Sequence, residues 1–260
     1  MPATTDRYAT FHDLAGASVF ITGGGSGIGA DLTMGFLEQG ANVAFVQRSD
    51  ASAFVEEAEK ATGSRPLFIR CDVTDVPSLQ AAMAQAAQAH GDIGVLVNNA
   101  ANDTRHTLAD YSVQDWNANL SVNLRPHFFT AQAAAAGMRR LGGGSIINFS
   151  SISYMMGNAG YPVYAAAKGA ITALTRVLAR ELGPDNIRVN ALTPGWVLTQ
   201  RQMDLWATPE ALAEHMGRQC LKEHLSPRDI VDATLFLASK TSRMMTGQAM
   251  VVDGGVVVTG

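Results

Sequence analysis

Eight residues near the N-terminus, Thr22-Gly23-Gly24-Gly25-Ser26-Gly27-Ile28-Gly29, restrict this chain more than any other segment. They separate a β-prone run, Ser18-Val19-Phe20-Ile21, from a helical pattern reaching about Gln39. A strand-to-helix turn this rich in glycine lets backbone N–H groups approach a phosphate at the positive end of a helix. Gly25-x-Gly27-x-x-Ala30 alone is a weak match to the dinucleotide pattern in a chain with 25 glycines, which could merely permit tight turning. The longer Thr-Gly-x-x-x-Gly-Ile-Gly string, in its strand and helix context, is more selective and predicts a dinucleotide site.

The alternation continues beyond the loop. Asn42 to Val46 reads as a strand, Ala51 to Ala61 as a helix closed by Gly63, and Leu67 to Arg70 as a strand. Val76 to Ala89 follows as a helix capped by His90-Gly91, then Ile93 to Val97 as an apolar strand. One long helix is expected from about Asn117 to Arg140, stopping at Gly142-Gly143-Gly144 before a strand from Ser145 to Phe149. A helix from Tyr161 to Leu182 and strands at Ile187 to Leu192 and Gly247 to Val252 complete the pattern. Strands without polar alternation are buried on both faces, and helices between them imply parallel pairing. The expectation is an α/β fold: one Rossmann-like domain over residues 1–260, a doubly wound parallel sheet of seven strands with helices on both faces. Residues 196–222 leave the sheet and read as a substrate lid.

Composition removes other classes. With 19 Lys+Arg against 23 Asp+Glu, a net charge of -4 and no basic run, nucleic acid is not an expected partner. Cys71 and Cys220 match no metal-ligand spacing and suit a reducing compartment, so no metal is expected. Met1 to Leu14 shows no signal-peptide core and no window is apolar enough to span a membrane, so a cytoplasmic enzyme is expected.

Tyr164 and Lys168, four residues apart in a helical stretch, share one helix face. Tyrosine needs its pKa of about 10 lowered by about 3 units, or about 4 kcal/mol, to act as a base near neutrality. An ammonium about 4.5 Å away supplies about 3.7 kcal/mol at an effective dielectric of about 20. One lysine is therefore of nearly the right size, although an isolated Tyr-x-x-x-Lys is also a common surface pair.

The glycine string and this pair resemble those of the short-chain dehydrogenase/reductase family, and the resemblance spans essentially the whole chain. Cys71-Asp72-Val73, Asn98-Asn99-Ala100-Ala101, Asn123 in a Val-Asn-Leu context, Tyr164-Ala-Ala-Ala-Lys168 and Pro194-Gly195 match further family motifs, with Ala101 replacing the usual glycine. The resemblance implies that Ser151, thirteen residues before Tyr164, hydrogen-bonds the reacting oxygen, with Ser150 and Ser153 as less well spaced competitors. It further implies that Tyr164 is the general base, that Lys168 holds the nicotinamide ribose, and that Asn123 holds a water linking Lys168 to solvent. The implied cofactor contacts are Gly23, Ser26, Gly27, Ile28, Gly29, Arg48, Asp72, Val73, Asn99, Ala100, Tyr164, Lys168, Pro194, Gly195, Val197 and Thr199. Members are usually homotetramers, so a homotetramer is implied.

Where an acid would bind the ribose of NAD, this chain has Gln47-Arg48. A guanidinium suits a 2′-phosphate, so NADP is the expected cofactor, with NAD use alongside it; the competing reading is a solvated Arg48. Asn102-Asp103-x-Arg105-His106, Arg201-Gln202 with Trp206, and Gln219-Cys220-Leu221-Lys222 resemble bacterial aldose 1-dehydrogenases of the D-xylose type. That narrower resemblance implies oxidation of a pentose, hexose or deoxy sugar at its anomeric carbon to the lactone. The candidate substrate residues are Asn102, Asp103, Arg105, His106, Ser151, Trp196, Gln200 and Trp206. Against it stand an ordinary surface pair at Asp103 and Arg105, tryptophans used only for packing, and reduction of 3-oxoacyl thioesters or other ketones. A protein that keeps the fold without chemistry is the remaining class.

Overall fold

Strand-forming runs dense in Val, Ile and Phe recur along the chain, and each is followed by a segment whose apolar residues fall on one helical face. In the computed structural model, which describes residues 9–258, these runs form β1 (Ser18–Thr22), β2 (Asn42–Gln47), β3 (Leu67–Arg70), β4 (Val95–Asn98), β5 (Gly144–Phe149), β6 (Ile187–Pro194) and β7 (Ala249–Val252). Residues 1–8, part of the stretch read as lacking a leader, lie outside the described residues. The seven strands make one parallel sheet in the order β3-β2-β1-β4-β5-β6-β7. The order reverses direction between β1 and β4, leaving a crevice at their carboxyl ends.

Helices α1 (Gly27–Glu38), α2 (Ser52–Thr62) and α10 (Pro227–Ala238) pack on one face, where Phe36, Val55, Leu235 and Phe45 share a core. The other face carries α3 (Val76–His90), α5 (Arg125–Arg140) and α7 (Pro162–Leu182), with Leu79, Met138, Leu178 and Phe20 buried together. The long helix expected from Asn117 to Arg140 is two: α4 (Val113–Asn123), opened by a Ser112–Asp115 capping box, and α5. The break falls at Leu124, because Pro126 has no N–H to continue α4 and sits comfortably in the first turn of α5. A short helix, α6 (Ser153–Met156), follows β5.

Residues 196–222 do leave the sheet. They hold α8 (Gln200–Leu205) and α9 (Pro209–Arg218), capped by the hydroxyls of Thr199 and Thr208. A bridge between Val197 and Leu225 closes the excursion at its base, with Leu198 N donating to Leu225 O at 3.0 Å.

One feature contradicts the apolar reading of the strands. Thr130 of α5 donates to Asn98 at 2.7 Å, Asn98 to Asn148 at 3.0 Å, and Asn148 to Thr175 of α7 at 3.0 Å, all buried. This polar chain crosses two neighbouring strands and ties both helices to them. Asn148→Leu leaves Asn98 and Thr175 short of a partner, and should lower unfolding free energy by roughly 2 to 4 kcal/mol in urea melts.

Candidate active site

The carboxyl ends of β1 and β4 are laced together at the crevice. Thr22 Oγ1 accepts from the backbone N–H groups of Asn99 and Ala100 at 3.0 and 3.1 Å. Asn99 Nδ2 donates back to the carbonyls of Thr22 and Gly23 at 3.2 and 3.1 Å. Gly23 turns at φ 70°, and a Cβ on Gly29 would lie 1.8 Å from the Gly23 carbonyl oxygen, so both positions require glycine. Ser26, at the N-terminus of α1, makes no side-chain cap and the first turn carries no acid. The leading N–H groups of a twelve-residue helix therefore remain available to an anion. This arrangement fits the pyrophosphate of a dinucleotide held by Gly23, Ser26, Gly27, Ile28 and Gly29.

Around that loop lie the other expected cofactor residues. Ile28, Asn99, Pro194, Gly195, Val197 and Thr199 line one cavity of about 490 Å³ together with Tyr164 and Lys168. Ala100 is held by Thr22, as above. Asp72 is fastened in a turn by Thr74 N and Oγ1 at 2.9 and 2.8 Å, and Val73 is buried beside it. Arg48 stands exposed at the end of β2, where its carbonyl accepts from Arg70 Nε at 3.0 Å, so two arginines meet at this corner. Gln47 is turned onto its own loop, donating to Ser49.

Helix α7 carries Tyr164 and Lys168 one turn apart. Lys168 is 1% exposed, donates from Nζ to Phe149 O at 2.7 Å, and lies 5.4 Å from the centre of the Tyr164 ring. Ser151 lines the cavity beside Tyr164 and opposes the rise of its pKa, while its Oγ accepts from Ser153 N at 3.2 Å. Ser150 is spent elsewhere, donating to Lys168 O at 2.8 Å and meeting Thr172 at 3.1 Å.

The expected activation of Tyr164 by Lys168 needs revision. Burial raises the Tyr164 pKa above its ordinary value, reinforced by the Asp103 carboxylate and Tyr161 and opposed by Ser151 and Arg105. Burial also pushes Lys168 down to about 7, against the pull of Asp103. An ammonium loses much of its own hydration in such a place, which the simple Coulomb sum leaves out. Behind it His127 is buried and neutral, pushed down to about 3 by burial and by the neighbouring Lys168.

Asn123 serves as a clamp. Its Oδ1 accepts from Asn102 N at 2.8 Å and its Nδ2 donates to Asn102 O at 2.9 Å, fixing the loop after β4. Three expected substrate residues do not line the cavity. Asn102 Oδ1 holds Thr104 in a tight turn. His106 accepts from Val163 N at 3.3 Å and so caps the start of α7. Gln200 donates to Asp204 at 2.7 Å on the exposed side of α8.

Asp103, Arg105, Ser151, Trp196 and Trp206 do line it. Asp103 accepts from Gln202 Nε2 at 2.8 Å, Gln202 Oε1 accepts from Trp196 Nε1 at 2.9 Å, and Arg201 lies 3.6 Å from the other Asp103 oxygen. The competing reading of Asp103 and Arg105 as an ordinary surface pair does not hold: Asp103 pairs with Gln202 and Arg201 of α8, and the Arg105 guanidinium lies over the Tyr161 and Trp206 rings. Asn158, Tyr161, Glu214, His215 and Arg218 also line the cavity and had not been selected from the sequence. Arg218 ties Glu214 to Asn158 at 2.5 and 3.3 Å, and His215 sits edge-on to Trp196 at 5.3 Å. For Glu214, His215 and Arg218 the polar face of α9 was the only signal in the sequence.

The family model described as enoyl-(acyl carrier protein) reductase matches residues 23–257. A protein named probable galactose dehydrogenase from Rhizobium meliloti is 49% identical over 248 residues, 95% of this chain and 97% of that one. The D-xylose 1-dehydrogenase of Caulobacter vibrioides is 46% identical over 249 residues, 95% of this chain and 98% of that one. Among solved structures, a mutant short-chain dehydrogenase/reductase of Serratia marcescens superposes with a TM-score of 0.87 at 31% identity, covering 95% of this chain and 100% of that one.

Gly29→Ala tests the loop. The added methyl has no room against Gly23 O, and we expect nicotinamide dinucleotide affinity to fall about tenfold or more in a fluorescence titration.

Proposed function

This chain belongs to the short-chain dehydrogenase/reductase family, and from that premise we propose that it oxidises the anomeric carbon of a cyclic aldose to the lactone. It is an NAD(P)-dependent oxidoreductase acting on a small molecule. One observation carries the sugar reading. The cavity that Tyr164 lines is also lined by hydrogen-bonding side chains, Asp103, Gln202, Asn158 and Arg218 among them, with two tryptophans, in a chain almost half identical to two sugar dehydrogenases. Such a lining offers donors and acceptors to several hydroxyls and flat apolar faces to a pyranose ring. A long acyl arm would gain little from it.

The anomeric hydroxyl lies between Ser151 and Tyr164 in this reading. Ser151 steadies the oxygen, and Tyr164 takes its proton as the C–O bond becomes a carbonyl. When bound, the oxidised nicotinamide would supply the acceptor for the hydride leaving the anomeric carbon, together with a positive charge. Lys168, with a pKa near neutrality, is suited to carry the proton onward and to hold the cofactor ribose. Asn123 keeps the loop after β4 in register with this chemistry, and α8 and α9 serve as the lid over the sugar.

Arg48, joined by Arg70 at the end of β3, supports a 2′-phosphate and hence NADP, with NAD used as well. The exposed Trp116 and Phe128, on α4 and α5, suit the helix pairing of a homotetramer. No helix among the described residues is long and apolar enough to cross a membrane, and both cysteines are free, which agrees with a cytoplasmic enzyme.

Two experiments test this. In a panel of pentoses, hexoses and deoxy sugars, the wild type should form reduced cofactor and Tyr164→Phe should lose about a thousandfold or more of that turnover while still binding cofactor. Activity confined to an acyl ketone would overturn the sugar reading. Arg48→Ala should lower kcat/KM with NADP about tenfold and leave NAD little changed; a strong NAD preference unaltered by the substitution contradicts the NADP reading.

A further inference from the structure

Arg105 sits at the meeting point of three elements that the chemistry needs to keep aligned. Its guanidinium carbon lies 4.2 Å from the centre of the Tyr161 ring and 5.1 Å from that of Trp206. Tyr161 is the residue before α7 and meets the Tyr164 ring edge-on at 6.1 Å. Trp206 ends α8, and its indole N–H is buried with no hydrogen-bond partner among the described residues. The ring therefore gains its place through stacking. Trp206, Arg105, Tyr161 and Tyr164 form a continuous column from α8 to the catalytic hydroxyl, and Asp103 ties the same helix through Gln202.

We infer that Arg105 is a positioning residue: stacked between Trp206 and Tyr161, it seats the lid helix α8 against the catalytic tyrosine and keeps a fixed positive charge in that tyrosine's surroundings. This rests on Tyr164 being the base. A guanidinium is the suitable group, because it stays charged and can lie against two aromatic faces at once.

The charge has an electrostatic role as well as a packing one. Tyr164 is faced by Lys168 from α7, by Tyr161 just before it, by Asp103 and Arg105 from the loop after β4, and by Ser151 after β5. Arg201, paired with Asp103, approaches from α8, and Glu214, His215 and Arg218 line the cavity from α9. His127 stands behind Lys168 and is neutral. Arg105 favours the tyrosinate, and Asp103, directly opposed to it, disfavours it.

The test compares kcat/KM against pH for the wild type, Arg105→Gln, Arg105→Lys and Trp206→Leu, using D-galactose and D-xylose. Activity rises with pH as Tyr164 loses its proton. Removing a positive charge raises that pKa, so the rising limb of R105Q should move up by about half a pH unit, about threefold in rate on the limb. R105K should keep the limb in place, and W206L should raise KM with the limb unmoved. Cofactor titration confirms that each variant is folded. The tyrosinate ultraviolet absorbance with oxidised cofactor bound, taken as a difference from the same background carrying Tyr164→Phe, reads the same shift without a sugar. An unmoved limb and absorbance midpoint in R105Q, or a limb moved equally by W206L, overturns the inference. Turnover retained in Y164F would instead overturn the base assignment, and this inference with it.

Discussion

Burying an amine that must exchange a proton is costly, and much of the site is organised around the enclosed Lys168. Its Nζ is held by the Phe149 carbonyl at the end of β5, and its own carbonyl is taken by Ser150. Burial alone drives Lys168 toward its neutral form and Tyr164 toward its protonated form. The two shifts bring the groups away from the proton distribution a base needs. The groups that oppose this come from outside α7: Arg105 from the loop after β4 and Ser151 after β5, with the cofactor's own positive ring added when bound. A site of this kind is poised by its ligands, whereas a lone lysine beside a tyrosine in water would need none.

The loop after β4 then has an unusual number of duties. Asn123 clamps its backbone at Asn102, His106 caps α7, Asp103 holds α8 through Gln202, and Arg105 stacks between Tyr161 and Trp206. A short polar segment thus joins the sheet, α7 and the excursion that lines the cavity. This explains how side chains on α8 and α9, distant in sequence from α7, come to line one cavity with Tyr164.

Most of the fold was legible because parallel strands buried on both faces and the turns between them leave strong local signals. The boundaries of β3 and the start and end of α7 fall within a residue of expectation for that reason. The break at Leu124 was missed because the apolar periodicity of Asn117 to Arg140 outweighed Pro126. The pyrophosphate loop, Ser151, Tyr164 and Lys168 were visible as spacing. What spacing could not convey was the direction each polar side chain takes: His106 and Asn102 turn into the scaffold, Gln202 replaces Gln200, and His215 and Arg218 arrive with α9. Nor could it convey desolvation, which reverses the simple electrostatic argument for Tyr164.

The central claim is that a hydride leaves the anomeric carbon of a sugar in this cavity. It is tested most directly with D-galactose and D-xylose carrying deuterium at that carbon and mass analysis of the reduced cofactor. The account predicts that the cofactor gains one deuterium and that turnover of the labelled sugar is slowed whenever hydride transfer limits the rate. Reduced cofactor without the label would contradict it.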